Sequence, residues 1–158
     1  MLRYIGLICI FLFAFYLILR YERYQKTLLL QGEEILRLLK FLQNEMDGLA
    51  RPLPLCIGEF RSAAIGDTLD SLKKGQSPSE VLAGLGALSL PAGMGDAISS
   101  FAASFGRGGR REEARRLSDA VLRIEPLVAA EREESARRLR LFRTLTTASA
   151  IGLVILLI

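Results

Sequence analysis

An uncharged, mainly apolar run lies at each end of the chain, and between these runs apolar residues recur at helical spacing. The first run, residues 4–19, lies between Arg3 and Arg20, and the last, residues 145–158, follows Arg143. About 20 apolar residues are usual for a transmembrane helix, and arginines beside such a run can keep their charged heads at the membrane surface. The pattern therefore predicts an N-terminal and a C-terminal transmembrane anchor.

A cleaved signal peptide is the alternative for the first run, because such a peptide also combines a basic start with an apolar core. Cleavage requires small residues at the end of the core, whereas the chain there has Leu17, Ile18, Leu19, Arg20 and Tyr21. The sequence therefore favours an uncleaved anchor over a cleaved signal.

Basic residues flank both runs on the side that faces the middle of the chain. They are Arg20, Arg23, Lys26, Arg137, Arg138, Arg140 and Arg143. An excess of basic residues marks the cytoplasmic side of a membrane span. The predicted organisation is an N-terminal anchor with its flank over residues 1–25, a cytoplasmic domain over 26–143 and a second anchor over 144–158, with both termini outside the cytoplasm.

The middle of the chain has the periodicity of amphipathic helices nearly throughout. It predicts helices over about 27–47, about 55–74, 78 to 84 or 86, and about 95–105, and a long final helix from the glycine turn into the C-terminal run. The final helix is expected to continue past Arg143 without a loop. These elements predict an all-α domain.

The stretch KKGQSPSEVL gives the best-defined local signal. Ser77 and Glu80 have the spacing of a capping box, in which each side chain accepts a hydrogen bond from the backbone N–H of the other residue. Pro78 suits the first helical position. Gly75 is expected to end the preceding helix, and Gly106 belongs to the turn before the final helix. These five residues are predicted to set helix boundaries.

The composition gives little support for catalysis. The chain has no histidine, which is the commonest general base and metal ligand. Glu33 and Glu34, like Glu112 and Glu113, are adjacent on helices and point in different directions, which favours a solvated face over an acid–base pair. Cys56 has no histidine to activate it and is expected to be a small core or loop residue. No catalytic, cofactor-binding or metal-binding residue is predicted.

The segment GRGGRREEARR is similar to arginine- and glycine-rich segments that bind nucleic acid. The formal net charge of the chain is only +4, and Glu112 and Glu113 oppose the arginines of the segment. Binding to nucleic acid depends on unopposed basic charge. The glycines are therefore interpreted as a turn between two helices, and no nucleic-acid partner is predicted.

The order of these elements resembles the stage III sporulation protein AB family over essentially the whole chain. The matching elements are the N-terminal apolar run, EMDGLARPL, the turn before SPSEVL, the glycine after SSFAASF, the Glu/Arg-rich helix that ends in RLFRTL, and the apolar tail. The chain departs from the usual pattern at Gly109, where an acidic residue is usual, at Glu113, where glutamine is usual, and at Pro126.

The resemblance implies an antiparallel helical bundle similar to the F domain of type II secretion and type IV pilus platform proteins, flanked by transmembrane helices. It implies a non-enzymatic component of the channel that joins the mother cell to the forespore, without a cofactor and with its domain in the mother-cell cytoplasm. Expected partners are the membrane, other stage III sporulation channel proteins and a cytoplasmic secretion-type ATPase. Self-association, a place in another secretion or pilus-like assembly, and a membrane-anchored enzyme remain open.

The candidate docking residues are arginines of the glycine turn and of the start of the final helix. They are Arg107, Arg110, Arg111, Arg115 and Arg116. Charged side chains at the rim of an interface mainly steer and orient a partner. Charge reversal at these positions is therefore expected to weaken partner capture without unfolding the domain.

Overall fold

The computed structural model describes residues 2–48, 53–70 and 77–157, and over these residues it contains helices and no strand. The helices are α1 (Leu2–Gly48), α2 (Leu53–Glu59), α3 (Gly66–Leu69), α4 (Pro78–Gly86), α5 (Met94–Ser104) and α6 (Arg110–Leu157). The all-α prediction is confirmed, and the arrangement is consistent with a helical bundle.

The chain divides into two compact units. Unit 1 consists of Met1–Lys26 and Arg132–Ile158, and unit 2 consists of Thr27–Glu131. The long helices α1 and α6 each contribute residues to both units. The expected continuity of the final helix past Arg143 is confirmed, because α6 extends without interruption to Leu157. The predicted three-part division of the chain stays a prediction.

Unit 2 is built around one hydrophobic core to which all six of the described helices and the segment after α2 contribute. Its largest fully buried side chains are Ile35, Leu38, Leu39, Leu42, Ile57, Ile65, Leu82, Leu85, Met94, Ile98, Leu117 and Ile124. Full burial of one aliphatic side chain of this size contributes about 1.5–3 kcal/mol. The spacing of Ile35, Leu38, Leu39 and Leu42 places them on one face of α1, as the sequence periodicity predicts.

Within unit 2, α1 and α6 are antiparallel. Arg110, the first residue of α6, donates a hydrogen bond from Nη2 to the carbonyl oxygen of Met46 near the end of α1, at 2.6 Å. Further along the pair, Lys40 Nζ lies 2.6 Å from Glu125 Oε1. The start of this part of α6 therefore lies beside the end of α1, and the two helices run in opposite directions.

The single helix predicted over about 55–74 is wrong. Helix α2 ends at Glu59, and α3 begins only at Gly66. The segment between them contributes Ile65, which is 1 % exposed, to the core of unit 2. Apolar periodicity continues through this segment, although the backbone leaves the helical conformation.

Hydrogen bonds to side chains explain the interruption. Ser62 Oγ accepts from the backbone N–H of Ala64 at 3.2 Å and from that of Ile65 at 3.3 Å. Arg37 of α1 donates from Nη2 to the carbonyl oxygen of Arg61 at 3.0 Å. These contacts satisfy backbone groups that a continuous helix would otherwise pair, and they offer the chain an alternative to helix.

The predicted capping box at the start of α4 is present. Ser77 Oγ accepts from the backbone N–H of Glu80 at 3.3 Å, and Glu80 Oε2 accepts from the backbone N–H of Ser77 at 2.8 Å. Pro78 occupies the first helical turn, where its missing N–H costs nothing. Gly75, the predicted end of the preceding helix, lies outside the described residues.

Unit 1 pairs the beginning of α1 with the end of α6. The rings of Tyr21 and Phe142 stack with their centroids 4.3 Å apart, and Ala150 is buried. Most of the large apolar side chains that the structure describes in this unit are exposed instead. They include Ile8, Phe11, Leu12, Phe13, Phe15, Tyr16, Leu141, Leu145, Ile151, Leu153 and Ile155.

The two predicted transmembrane anchors are not confirmed. Within the described parts of the chain, no helix contains a stretch with the length and hydropathy that a membrane crossing requires.

Candidate docking surface

The turn between α5 and α6 determines where the candidate docking residues lie. Phe105 follows α5 in an extended conformation, with φ −68° and ψ 138°, and Gly106 comes next with φ +79°. A positive φ is accessible to glycine at little cost and strains residues that carry a Cβ. The carbonyl oxygen of Gly109 then accepts from the N–H groups of Glu112 and Glu113, at 2.9 and 3.0 Å, which begins α6.

Arg116 is held within this turn region by three acceptors. Its Nη1 donates to the carbonyl oxygen of Ser104 at 2.5 Å and lies 3.4 Å from Glu113 Oε1. Its Nη2 donates to Glu112 Oε1 at 2.6 Å. Arg116 therefore joins the end of α5 to the first turns of α6, which gives it a structural role.

Arg110 also has a contact within unit 2. Its hydrogen bond to the carbonyl oxygen of Met46 reaches the last turn of α1, where helix carbonyls lack intrahelical partners. A cation at this end of a helix also interacts favourably with the helix dipole. Two of the five predicted docking arginines, Arg110 and Arg116, thus hold the unit together.

The other three predicted residues have exposed side chains. They are Arg107, Arg111 and Arg115, and they are called the arginine surface below. Among the described residues, no hydrogen bond or ion pair holds their guanidinium groups. These groups are therefore available to a partner from the turn and from the outer side of α6.

An open cleft of about 150 Å³ lies between α5 and α6 in the same unit. Its polar lining consists of Ser100, Ser104, Arg116, Asp119 and Arg123. Pockets that enclose a small molecule are usually about 300–1,000 Å³. The cleft is smaller than that, and its mixed charge favours polar contact with a protein surface over enclosure of a substrate.

Glu113 is buried, with 5 % of its surface exposed, so the solvated position predicted for it is wrong. Its Oε1 accepts from the backbone N–H of Gly108 at 3.0 Å and also contacts Arg116. Its Oε2 is buried without a hydrogen-bond partner among the described residues. Glu112, by contrast, is exposed. The burial of Glu113 comes from the turn folding back over α6, which helical periodicity does not reveal.

The other residues considered for chemistry do not assemble into a site. Cys56 is 1 % exposed in the core of unit 2, as predicted. Glu34 forms an ion pair with Arg37 at 3.0 Å along α1. Within the described ranges, no group of three His, Cys, Asp or Glu side chains is placed to hold a metal ion.

A second polar cluster lies in unit 1, next to its exposed apolar side chains. Glu22 forms ion pairs with Lys26 at 3.0 Å and with Arg143 at 2.8 Å. The hydrogen bonds from Lys26 and Arg143 hold the pKa of the Glu22 carboxyl below its usual value. Arg20 donates from Nη1 to the hydroxyl oxygen of Tyr16 at 3.0 Å. In the sequence these basic residues predict only the orientation of the chain, and the ion pair between Glu22 and Arg143 joins residues 121 positions apart, which no local pattern reveals.

Fold and surface together define an all-helical protein with exposed arginines on unit 2 and exposed apolar side chains on unit 1. The family model of stage III sporulation protein AB matches residues 3–158, and the chain therefore belongs to this family. Membership implies a role in sporulation and points to other stage III sporulation proteins as partners. The family is a component of a sporulation complex and is not a known enzyme family. No curated protein and no solved structure matches the chain.

Proposed function

We propose that this protein is a non-enzymatic membrane component of the channel-like complex that joins the mother cell to the forespore. In this proposal it is a platform on which a cytoplasmic secretion-type ATPase and other membrane subunits dock. The observation that carries the proposal is the family match over residues 3–158. The polar surface and small cleft of unit 2 are compatible with docking, since neither encloses a substrate.

The contrast in surface between the two units supports attachment to a membrane through unit 1. Phe13, Leu145 and Ile155 of unit 1 are 63 %, 66 % and 70 % exposed, and many of their neighbours are similarly exposed. Large contiguous apolar surfaces are rare on soluble monomers and mark contacts with a membrane or a protein. In the proposal, lipid covers unit 1, unit 2 lies in the mother-cell cytoplasm, and both termini lie outside.

Two reporters fused at one position test this topology. A reporter that is active only outside the cytoplasm should be active when it follows Ile158, and one that fluoresces only in the cytoplasm should be dark there. The opposite pattern would place the C-terminus in the cytoplasm and would overturn the proposed arrangement.

The arginine surface is the proposed contact for the ATPase. Arg107, Arg111 and Arg115 are exposed on the turn and the first turns of α6, so their reversal leaves the core of unit 2 intact. Rim charges of this kind mainly affect the rate and orientation of association. The function of the protein in sporulation would then depend on its docking surface and on its attachment to the membrane. No single carboxylate would be essential for that function.

Charge reversal with a matched control tests the docking proposal. Arg115→Glu, and the triple reversal with Arg107 and Arg111, should reduce co-purification of the ATPase from solubilised membranes and lower sporulation efficiency. Arg61→Glu makes the same charge change at an exposed position of unit 2 and should affect neither. Equal effects of Arg61→Glu and Arg115→Glu would refute a specific contact. A sporulation block caused by Glu33→Gln in a stable protein would favour an enzyme instead.

A further inference from the structure

Two basic segments of unit 1 lie side by side next to its exposed apolar surface. Residues 20–26 and 137–143 together contain seven basic residues and one acidic residue. The stacking of Tyr21 on Phe142 and the ion pair between Glu22 and Arg143 bring the two segments into contact. These two segments are called the basic collar below.

The only acidic residue of the collar, Glu22, is paired with two of its basic residues. Glu22 contacts both Lys26 and Arg143, so it offsets one of the two charges that it binds. Arg20 bonds to the hydroxyl of Tyr16, which is a neutral acceptor, and leaves the arginine charge in place. Arg137 and Arg140 have exposed side chains. Glu134, just outside the collar, pairs with Arg138 at 2.7 Å and offsets that charge as well. The collar still keeps a net positive charge at the border of the apolar surface.

We propose that the basic collar binds the headgroups of anionic phospholipids. This inference rests on the membrane attachment proposed above and adds a lipid preference to it. Anionic lipids attract basic side chains that border a membrane-embedded surface, and the planar guanidinium group forms paired hydrogen bonds with phosphate oxygens. Tyrosines such as Tyr16, Tyr21 and Tyr24 favour the same headgroup depth. The positive charge of the collar and its position beside the apolar surface thus suit binding to an anionic membrane surface.

A competition between two kinds of vesicle tests the preference. The full chain, purified in mild detergent, is diluted into a mixture of sucrose-loaded phosphatidylcholine vesicles and unloaded vesicles of equal parts phosphatidylcholine and phosphatidylglycerol. Centrifugation separates the two kinds, and the protein in each fraction is measured at low salt. The wild-type chain should collect on the vesicles that contain phosphatidylglycerol.

The variant Arg20→Gln/Arg137→Gln/Arg140→Gln should lose most of this preference. A basic residue near an anionic surface favours binding about fivefold, so three substitutions should reduce the distribution ratio on the order of a hundredfold. The variant with lysine at the same three positions keeps the charge and should keep the preference. Circular dichroism checks that the variants remain helical.

The control is Arg107→Gln/Arg111→Gln/Arg115→Gln, which removes the same charge from unit 2 and should leave the distribution unchanged. An equal loss in both glutamine variants would mean that net charge alone sets the preference, and would overturn the collar. Wild-type protein divided evenly between the vesicles would also overturn it, while leaving membrane attachment intact. Protein found on neither kind of vesicle would instead refute the proposed attachment itself.

Discussion

Arg143 donates a hydrogen bond from Nη2 to Glu22 Oε2 at 2.8 Å, across 121 positions of the sequence. The other carboxylate oxygen, Oε1, lies 3.0 Å from Lys26 Nζ. One carboxylate therefore receives a cation from its own helix and another from the partner helix. It links α1 to α6 within unit 1 beside the stacked rings of Tyr21 and Phe142.

Acid should weaken this link. The two cations lower the pKa of Glu22 in the folded protein, so its stabilising contribution is present above the ordinary carboxyl pKa and is lost as the pH falls through the lowered value. Glu22→Gln should lower the melting temperature of the full chain in detergent near neutral pH, and the difference from wild type should shrink in acid. Glu133→Gln, on the exposed side of α6, should melt like wild type at each pH. If it reproduced the Glu22→Gln behaviour, pairing at Glu22 would not be the cause.

Alanine at Gly106 should destabilise the turn between α5 and α6. The residue has φ +79°, where a Cβ costs on the order of 1–2 kcal/mol. Gly58→Ala is the matched control, because Gly58 lies in α2 with open space at its Cβ position. That change should be neutral or stabilising by up to about 1 kcal/mol through helix propensity. Denaturant unfolding followed by circular dichroism gives the change in the free energy of unfolding for both variants. If Gly106→Ala were as harmless as Gly58→Ala, the turn geometry at Gly106 would be contradicted.

The loss of stability on replacing Glu113 should depend on whether the new side chain still provides a hydrogen-bond acceptor for the N–H of Gly108. Glu113→Gln keeps an oxygen for the N–H of Gly108 and loses the ion pair with Arg116, so it should cost about 1 kcal/mol or less. Glu113→Ala leaves the N–H without its partner and should cost about 1–3 kcal/mol. Equilibrium unfolding of the two variants measures the difference. Equal losses would show that the hydrogen bond to Gly108 contributes nothing.

Loss of the capping hydroxyl at Ser77 should destabilise α4. The Ser77 side chain accepts from the backbone N–H of Glu80, and Ser77→Ala should cost about 1 kcal/mol in the free energy of unfolding. Ser100→Ala removes the same hydroxyl from an exposed position inside α5 and should be neutral or slightly stabilising. A melt in which the two variants change alike would argue against a specific cap.

The features predicted correctly are those set by neighbouring residues. The box formed by Ser77, Pro78 and Glu80 depends on three backbone positions of one helix start, so its sequence pattern is enough to locate it. The buried face of α1 at Ile35 and Leu38 follows from helical spacing in the same way. Local rules are reliable at these positions because no distant contact competes with them.

The features that were missed depend on residues far apart in sequence. The break between α2 and α3 is supported by Arg37, which reaches the carbonyl oxygen of Arg61 from another helix. Glu113 lies in a charged segment that is typical of a solvated face, yet the turn at Gly108 covers it. Similarly, the contact of Arg110 with Met46 spans 64 positions of sequence. None of these pairings leaves a periodic signal in the sequence.

Substitutions of Arg115 and of Arg116, which are neighbours on α6, should reduce partner capture for different reasons. A random screen for loss of partner capture would recover Arg116 readily, because each substitution there disrupts bonds to Ser104 and Glu112. Such alleles would fail through reduced protein abundance and would be suppressed by stabilising mutations elsewhere in unit 2. Alleles of Arg115, whose side chain is exposed, would retain normal abundance. If Arg115 contacts the ATPase as proposed, only compensating changes in that partner would suppress them. Suppressor analysis at these two adjacent codons would therefore separate the residues that stabilise the fold from those proposed to contact the partner.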